Sequence, residues 1–138
     1  MSDLDRLEKE LIDQALQVKS RAYAPYSHFH VGAALLTGNG TIVVGCNVEN
    51  CSYGLTICAE RTAAVAAVTQ GLLDWKAIAI ATVGGISPCG ACRQFLAEFA
   101  PNLTILLVDT TGTNPVVKVS LSELLPSSFH PSCLPKGR

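Results

Sequence analysis

The sequence predicts one α/β domain in three layers, with a five-stranded mixed sheet between helices. Three observations carry this. Apolar periodicity alternates between helical and strand spacing, in the order αββαβαββα. Segment 75–83, WKAIAIATV, is apolar on both faces, as a strand covered by helices on both sides should be. The 138 residues contain no linker, repeat or low-complexity run, so a single domain, 1–138, accounts for the chain.

The first predicted helix spans 3–22. Leu4, Leu7, Leu11, Ala15, Val18 and Ala22 fall on one stripe, Ser2 can cap it, and Asp3 and Asp5 sit where the helix dipole favours negative charge. Pro25 ends it. Segments 30–37 and 41–49 read as antiparallel strands joined by Gly38-Asn39-Gly40, residues that tolerate the positive φ of a tight hairpin. After a loop at 50–56, a helix over 58–70 closes on Gly71, a C-cap glycine. It is apolar on nearly every face, which predicts burial all round. The strand 75–83 leads through GGIS to a short helix over 88–99, with Pro88 at its start. Strands at 103–109 and 115–120 follow. Ser120 and Glu123 then offer a capping box to a last short helix, and the proline-rich tail from Pro126 reads as irregular. Strands 41–49, 75–83 and 103–109, linked by the two middle helices, form two crossover units with parallel strands. Both helices then begin at the carboxyl ends of strands, the edge where open α/β sheets place ligands.

Composition narrows the function. Hydrophobic residues make up 49% of the chain and charged residues 15%, so either the core is large or apolar surface is buried against other copies of the chain. The formal net charge is −1 with no basic run, which argues against nucleic acid as a partner. The charged start MSDLDRLEKE is not a signal peptide, and no apolar run is long enough to span a bilayer. The expected setting is the cytoplasm, with no membrane partner. In a reducing compartment six cysteines, at 46, 51, 58, 89, 92 and 133, point to metal binding or catalysis rather than disulfides.

Cys58 opens one of the two middle helices, and Cys89 and Cys92 open the other, on the same sheet edge. Cys89-Gly-Ala-Cys92 has the spacing that turns both sulfurs to one ion. Three ligands and an open position suit a catalytic zinc, whereas structural zinc takes four. Glu60, two residues after the first ligand, can take a proton from water at that open position and give it up again. Three thiolates on Zn2+ sum to a net charge of about −1, and Arg61 can offset the excess by donating hydrogen bonds to sulfur. Taken singly, a Cys-x-x-Cys pair also suits a redox couple, a helix-start glutamate a dipole partner, and a nearby arginine a solvated surface. A structural zinc module would need a fourth ligand, for which His28, His30, His130 and the remaining cysteines are the nearest candidates. The joint pattern is more specific: C-x-E, a gap of 27 residues, then P-C-x-x-C. That is the three-cysteine form of the signature of zinc deaminases acting on C4 of cytosine or C6 of adenine.

The motifs CNVEN, CAERTA and SPCGACRQ resemble those of the small cytidine deaminases of nucleoside salvage, and the resemblance runs from YAPYSHFHVGAAL to ELLPSSF. It implies one Zn2+ per subunit on Cys58, Cys89 and Cys92, with Glu60 as proton shuttle and Arg61 beside the ligands. It implies that Phe29 stacks near the pyrimidine and that Asn47 and Glu49 hold the ribose. It also implies a homotetramer with shared active sites, each completed by Tyr53 and Phe129 of neighbouring chains. The substrates would be small nucleosides, cytidine and 2′-deoxycytidine. The nearest alternative is a deaminase of an aminonucleoside antibiotic of the blasticidin type; Arg61 and the intact Asn47-x-Glu49 pair favour the plain nucleoside. Cys51 stands where a small residue is expected and reads as packing, and Cys46 and Cys133 read as non-catalytic.

Overall fold

The alternation of small and large apolar residues along 77–81 becomes, in the computed structural model, a division between two faces of one sheet. The structure describes residues 2–135. The strands are β1 (Gly32–Thr37), β2 (Ile42–Cys46), β3 (Trp75–Thr82), β4 (Thr104–Asp109) and β5 (Val117–Ser120), in the spatial order β2-β1-β3-β4-β5. β1 runs antiparallel to both β2 and β3, β3 and β4 are parallel, and β5 is antiparallel to β4. β2 and β3 therefore point the same way, as expected, but β1 lies between them. The hairpin at 38–40 pairs β1 with β2, which leaves β1's other edge free for β3. Gly40 takes φ +88° there, and its N–H donates to the Thr37 carbonyl at 3.0 Å.

Helix α1 (Asp3–Val18) covers one face. Leu11 and Ala15 pack on Ala77, Ala79 and Ala81 of β3 with Ala34, Leu36, Leu106 and Val108. Helices α2 (Ala59–Thr69) and α3 (Gly90–Ala97) cover the other, over Ala33, Leu35, Ile78, Ile80 and Ile105. The alternation in β3 thus turns alanines to α1 and isoleucines to α2 and α3, which is the three-layer arrangement that both-sided apolarity implies.

Capping follows the sequence closely. Ser2 Oγ accepts the Asp5 N–H at 3.1 Å. Gly71, at φ +76°, closes α2 in a Schellman motif: Leu72 N–H donates to the Ala67 carbonyl and Gly71 N–H to that of Val68, both at 2.9 Å. Helix α4 (Leu121–Leu124) carries the Ser120–Glu123 capping box.

Several expectations are corrected. The stripe on α1 is only partly covered, since Leu4 is 60% exposed and Leu7 is also exposed. Periodicity defines a face but not how far its partner surface extends. Within the single chain α2 is not covered all round: Val65 and Val68 are exposed, so complete burial would require other copies. β2 stops at Cys46 rather than 49, β5 starts at Val117 rather than 115, and α1 gives way to a 3-10 turn at Lys19–Arg21. Beyond β2 only isolated bridges continue, from Val48 to Tyr23 and to Ile57, because the ladder rather than strand propensity sets the end. Finally, α2 and α3 start one and two residues later than predicted. Cys58 and Cys89 are their N-caps, with extended backbone (φ −70°, ψ 154° and φ −65°, ψ 165°), and Pro88 lies just before the cap.

Candidate active site

An N-cap usually turns its side chain back onto the helix. Cysteine is a poor acceptor for that purpose, and neither Cys58 nor Cys89 makes a side-chain cap bond. Their sulfurs are free to turn outward and meet. Cys58 Sγ lies 4.0 Å from Cys89 Sγ, Cys89 Sγ lies 3.5 Å from Cys92 Sγ, and all three fall within 4.8 Å of one another. A tetrahedral ion with metal–sulfur bonds of about 2.3 Å spaces its sulfurs by roughly 3.8 Å, so the cluster fits zinc without rearrangement. No fourth His, Cys, Asp or Glu joins it among the described residues, which leaves one coordination position open. Cys46, Cys51 and Cys133 stay apart. Cys51 is exposed, so packing within the chain does not explain it.

The first turn of α2 supplies the adjoining chemistry. Glu60 is 4% exposed and lines the cavity beside the sulfurs. Burial pushes its carboxyl pKa up, because desolvation disfavours the charged form. Arg61 Nη2 donates to Cys58 Sγ at 3.3 Å, and its Nε is buried with no hydrogen-bond partner. The Cys58 thiol is lowered to about 5, chiefly by a hydrogen bond from Cys92 and further by the Arg61 guanidinium. Cys92 is pushed up by the same bond and by burial, since it is the partner that keeps the proton. Metal binding in such a cluster draws off the remaining protons and leaves thiolates.

Cys58, Cys89 and Glu60 open into a cavity of about 530 Å³ at the carboxyl ends of β2 and β3, the predicted edge. Its lining also includes Phe29, Asn47 and Glu49. Asn47 is buried and stitches that part of the lining together: Oδ1 accepts the Val31 N–H at 2.9 Å, and Nδ2 donates to the Phe29 carbonyl at 2.7 Å. Glu49 Oε1 accepts the N–H groups of Tyr26 at 3.0 Å and Ser27 at 3.2 Å, and Oε2 accepts the Ser27 hydroxyl. These bonds hold its pKa below the usual carboxylate value, the Ser27 hydroxyl contributing most. Asn47 and Glu49 were predicted on one face of a strand. They lie instead just past β2, on either side of the bridged Val48, and still face the same cavity.

Tyr53 and Phe129 are not brought into this cavity. Tyr53 is 73% exposed and lines an adjoining cleft with Tyr26, Glu49 and Thr56, its ring centroid 5.7 Å from that of Tyr26. Phe129 is 61% exposed, and its carbonyl accepts Gln94 Nε2 at 2.8 Å. Sequence reasoning missed Arg93. It lines the cavity, and it donates to the Pro88 carbonyl at 2.7 Å, the Leu124 carbonyl at 2.8 Å and Ser87 Oγ at 3.0 Å. Its one signal in the sequence is its place directly after Cys92. Ser27, Thr56 and Ile86 also line the cavity and carry no signal of their own.

The comparisons with known proteins agree with this geometry. The family model of the cytidine and deoxycytidylate deaminase zinc-binding region matches residues 5–108. The cytidine deaminase of Halalkalibacterium halodurans is 48% identical over 122 residues, covering 86% of this chain and 91% of that protein. That of Sporosarcina psychrophila is 44% identical over 124 residues, covering 88% and 90%. The crystal structure of cytidine deaminase from Burkholderia pseudomallei superposes with a TM-score of 0.83 at 43% identity, covering 94% of this chain and all of that one. Clustered thiols at two helix starts, a buried glutamate on the first turn of α2 and this degree of likeness lead to one conclusion: the chain belongs to the cytidine and deoxycytidylate deaminase zinc-binding family.

Proposed function

We propose that this chain is a zinc-dependent hydrolase that converts cytidine and 2′-deoxycytidine to uridine and 2′-deoxyuridine with release of ammonia, in pyrimidine salvage. One observation carries the reading: Glu60 is buried on the helical turn that Cys58 caps, and it lines the same cavity as Cys58, Cys89, Asn47 and Glu49. Burying a carboxylate costs free energy, and moving protons beside a metal position is a role that gives reason to keep it there.

Cys58, Cys89 and Cys92 hold the zinc, which supplies Lewis acidity to the hydrolytic water. Glu60 takes a proton from that water and delivers it to ring N3, which makes C4 electrophilic. It then carries the second proton to the departing amino group. Both protons of the water pass through this one side chain and end on N3 of the product and in ammonia. Arg61 draws charge from the Cys58 thiolate. Phe29 packs on the pyrimidine. Asn47 keeps one amide N–H, and Glu49 Oε2 one lone pair, beyond their bonds within the protein, enough for one ribose hydroxyl each. The cavity volume suits a nucleoside.

The chain acts as a single domain over 1–138, works in the cytoplasm and assembles as a homotetramer with shared sites. Exposed Val65, Val68, Leu55 and Tyr53 supply apolar surface for that assembly, and Tyr53 and Phe129 stand free to reach a neighbour's cavity. To test the activity, zinc-loaded protein is incubated with cytidine, deoxycytidine, CMP, cytosine and blasticidin S while the ultraviolet absorbance is followed. Turnover of the two nucleosides is expected; turnover of neither would sink the reading. Light scattering at several concentrations tests the tetramer, and a monomer at all of them would remove it.

A further inference from the structure

The cavity wall between β3 and α3 is the segment 83–89, and regular structure does not fix it. Gly84 and Gly85 both take left-handed conformations, φ +88° and +64°, that only glycine adopts freely. Ile86, Ser87 and Pro88 nonetheless line the cavity beside Cys89. Arg93 grips the Ser87–Pro88 end. The Gly84–Ile86 end is held from the tip of β4. Asp109 stands opposite Thr82 in the parallel register, and its Oδ1 accepts the Gly84 N–H at 2.9 Å and the Thr111 N–H at 3.0 Å. Its Oδ2 accepts the Thr111 hydroxyl at 2.8 Å and, from Asn114, the backbone N–H at 3.2 Å and the side-chain amide at 2.9 Å. All five partners donate, a set that a carboxylate satisfies and a carboxamide does not. Thr82 adds a second tie, its Oγ1 accepting the Ile86 N–H at 2.8 Å.

We propose that Asp109 is a positioning residue for substrate binding: through Gly84 it holds Ile86 in place as the apolar wall against which the pyrimidine rests. Asp109 is buried and lines neither the cavity nor the sulfur cluster, so it acts through the loop. The bonds that keep its carboxyl well below the usual range, the one from Gly84 foremost, favour the charged form that this hub requires. Cys89 is fixed separately, by capping α3 and by Arg93's hold on Pro88. Loss of the carboxylate therefore loosens the wall and leaves the metal in place. A wall that must be ordered on binding weakens substrate and transition state alike, so KM changes and kcat does not.

The inference rests on the deaminase reading, and its test separates the two. Asp109→Asn and Asn114→Ala are compared with the unaltered protein in KM and kcat for cytidine, zinc per chain, and amide exchange at Gly84 and Ile86. Asp109→Asn is expected to raise KM about tenfold, keep kcat within about threefold, keep its zinc and speed exchange at both amides. Asn114→Ala removes a donor on the far side of the hub and is expected to keep KM within about twofold. If Asp109→Asn does not fold, Thr82→Val cuts the loop's other tie and is expected to show the same rise in KM. An unchanged KM in the variant of Asp109 (or in that of Thr82, should it stand in), loss of zinc, or an equal rise in Asn114→Ala would overturn the proposal. Absence of cytidine turnover in the unaltered protein would instead count against the activity, with amide exchange still reporting whether Asp109 holds the loop.

Discussion

The two faces of the sheet are built with the same device and serve different ends. On one, α1 lies so close that a Cβ at Gly32 would come within 2.1 Å of the Ala15 carbonyl oxygen. On the other, α2 lies so close that a Cβ at Gly45 would come within 2.4 Å of the Ala63 nitrogen. Each contact seats a helix directly on the strands, with alanines on the helix side of it. Among the described residues the α1 face buries an apolar cluster, whereas the α2 face also buries Glu60 at its open end. Close packing gives rigidity to both. It becomes chemistry only where the seated helix begins at the carboxyl end of a strand with a cysteine as its cap.

The largest effects should fall on the α2 face. Glu60→Gln should lower kcat by about 10³-fold or more while zinc stays at the unaltered stoichiometry, because one group carries each proton transfer. Turnover assays with metal analysis check this, and near-normal turnover would remove Glu60 from its role. Chelation should abolish turnover, lower the Tm and expose three further thiols to titration, those of Cys58, Cys89 and Cys92. A redox pair would show no chelator dependence.

The glycine pair tests the comparison directly. Gly32→Ala and Gly45→Ala should each destabilise by about 1–3 kcal/mol, since the clash in each is with backbone that cannot swing aside. Gly45→Ala should also lower kcat of the folded protein about tenfold or more, by shifting the turn that carries Glu60, and Gly32→Ala should leave kcat nearly unchanged. Equal effects on kcat would show that the faces are not separable. Outside both faces the expected change falls on KM instead. Glu49→Ala strands the N–H groups of Tyr26 and Ser27 and removes the proposed ribose acceptor, so KM should rise about 10- to 100-fold with zinc unaffected.

The smallest effect is on acid stability. Asp109 and Glu49 both have folded pKa values below their ordinary ones. Their contributions are therefore fully present above the unfolded pKa values, about 4, and are lost as pH falls through the lower folded values. Thermal melts between pH 2 and 7 should show this decline, and Asp109→Asn should flatten it. An unchanged profile would mean that the Asp109 carboxylate contributes little.

Much of the site was legible because its parts are local. Cys58, Glu60 and Arg61 share one helical turn, and Cys89 and Cys92 another, so spacing alone orients them. The division of the sheet into faces was legible in the alternation of β3. The cavity's other walls were not, because loops with no period build them. Arg93 reaches the Leu124 carbonyl across 31 residues and Asp109 reaches Gly84 across 25, and hydrogen bonds at such separations leave no pattern in composition or spacing.

By itself, then, the sequence determined the order of elements, the caps at Ser2, Gly71 and Ser120, the three clustered thiols and the carboxylate beside them, since each depends on residues within a few positions of one another. Only the tertiary structure decided that β1 separates β2 from β3, that the Asn47 side chain bonds both Phe29 and Val31, that Val65 and Val68 stay uncovered in the chain, and that Asp109 fixes a loop it adjoins only in space. The physical reason is that pairing partners and buried hydrogen bonds are chosen among all the surfaces folding brings together, and the chain's local preferences do not encode that choice.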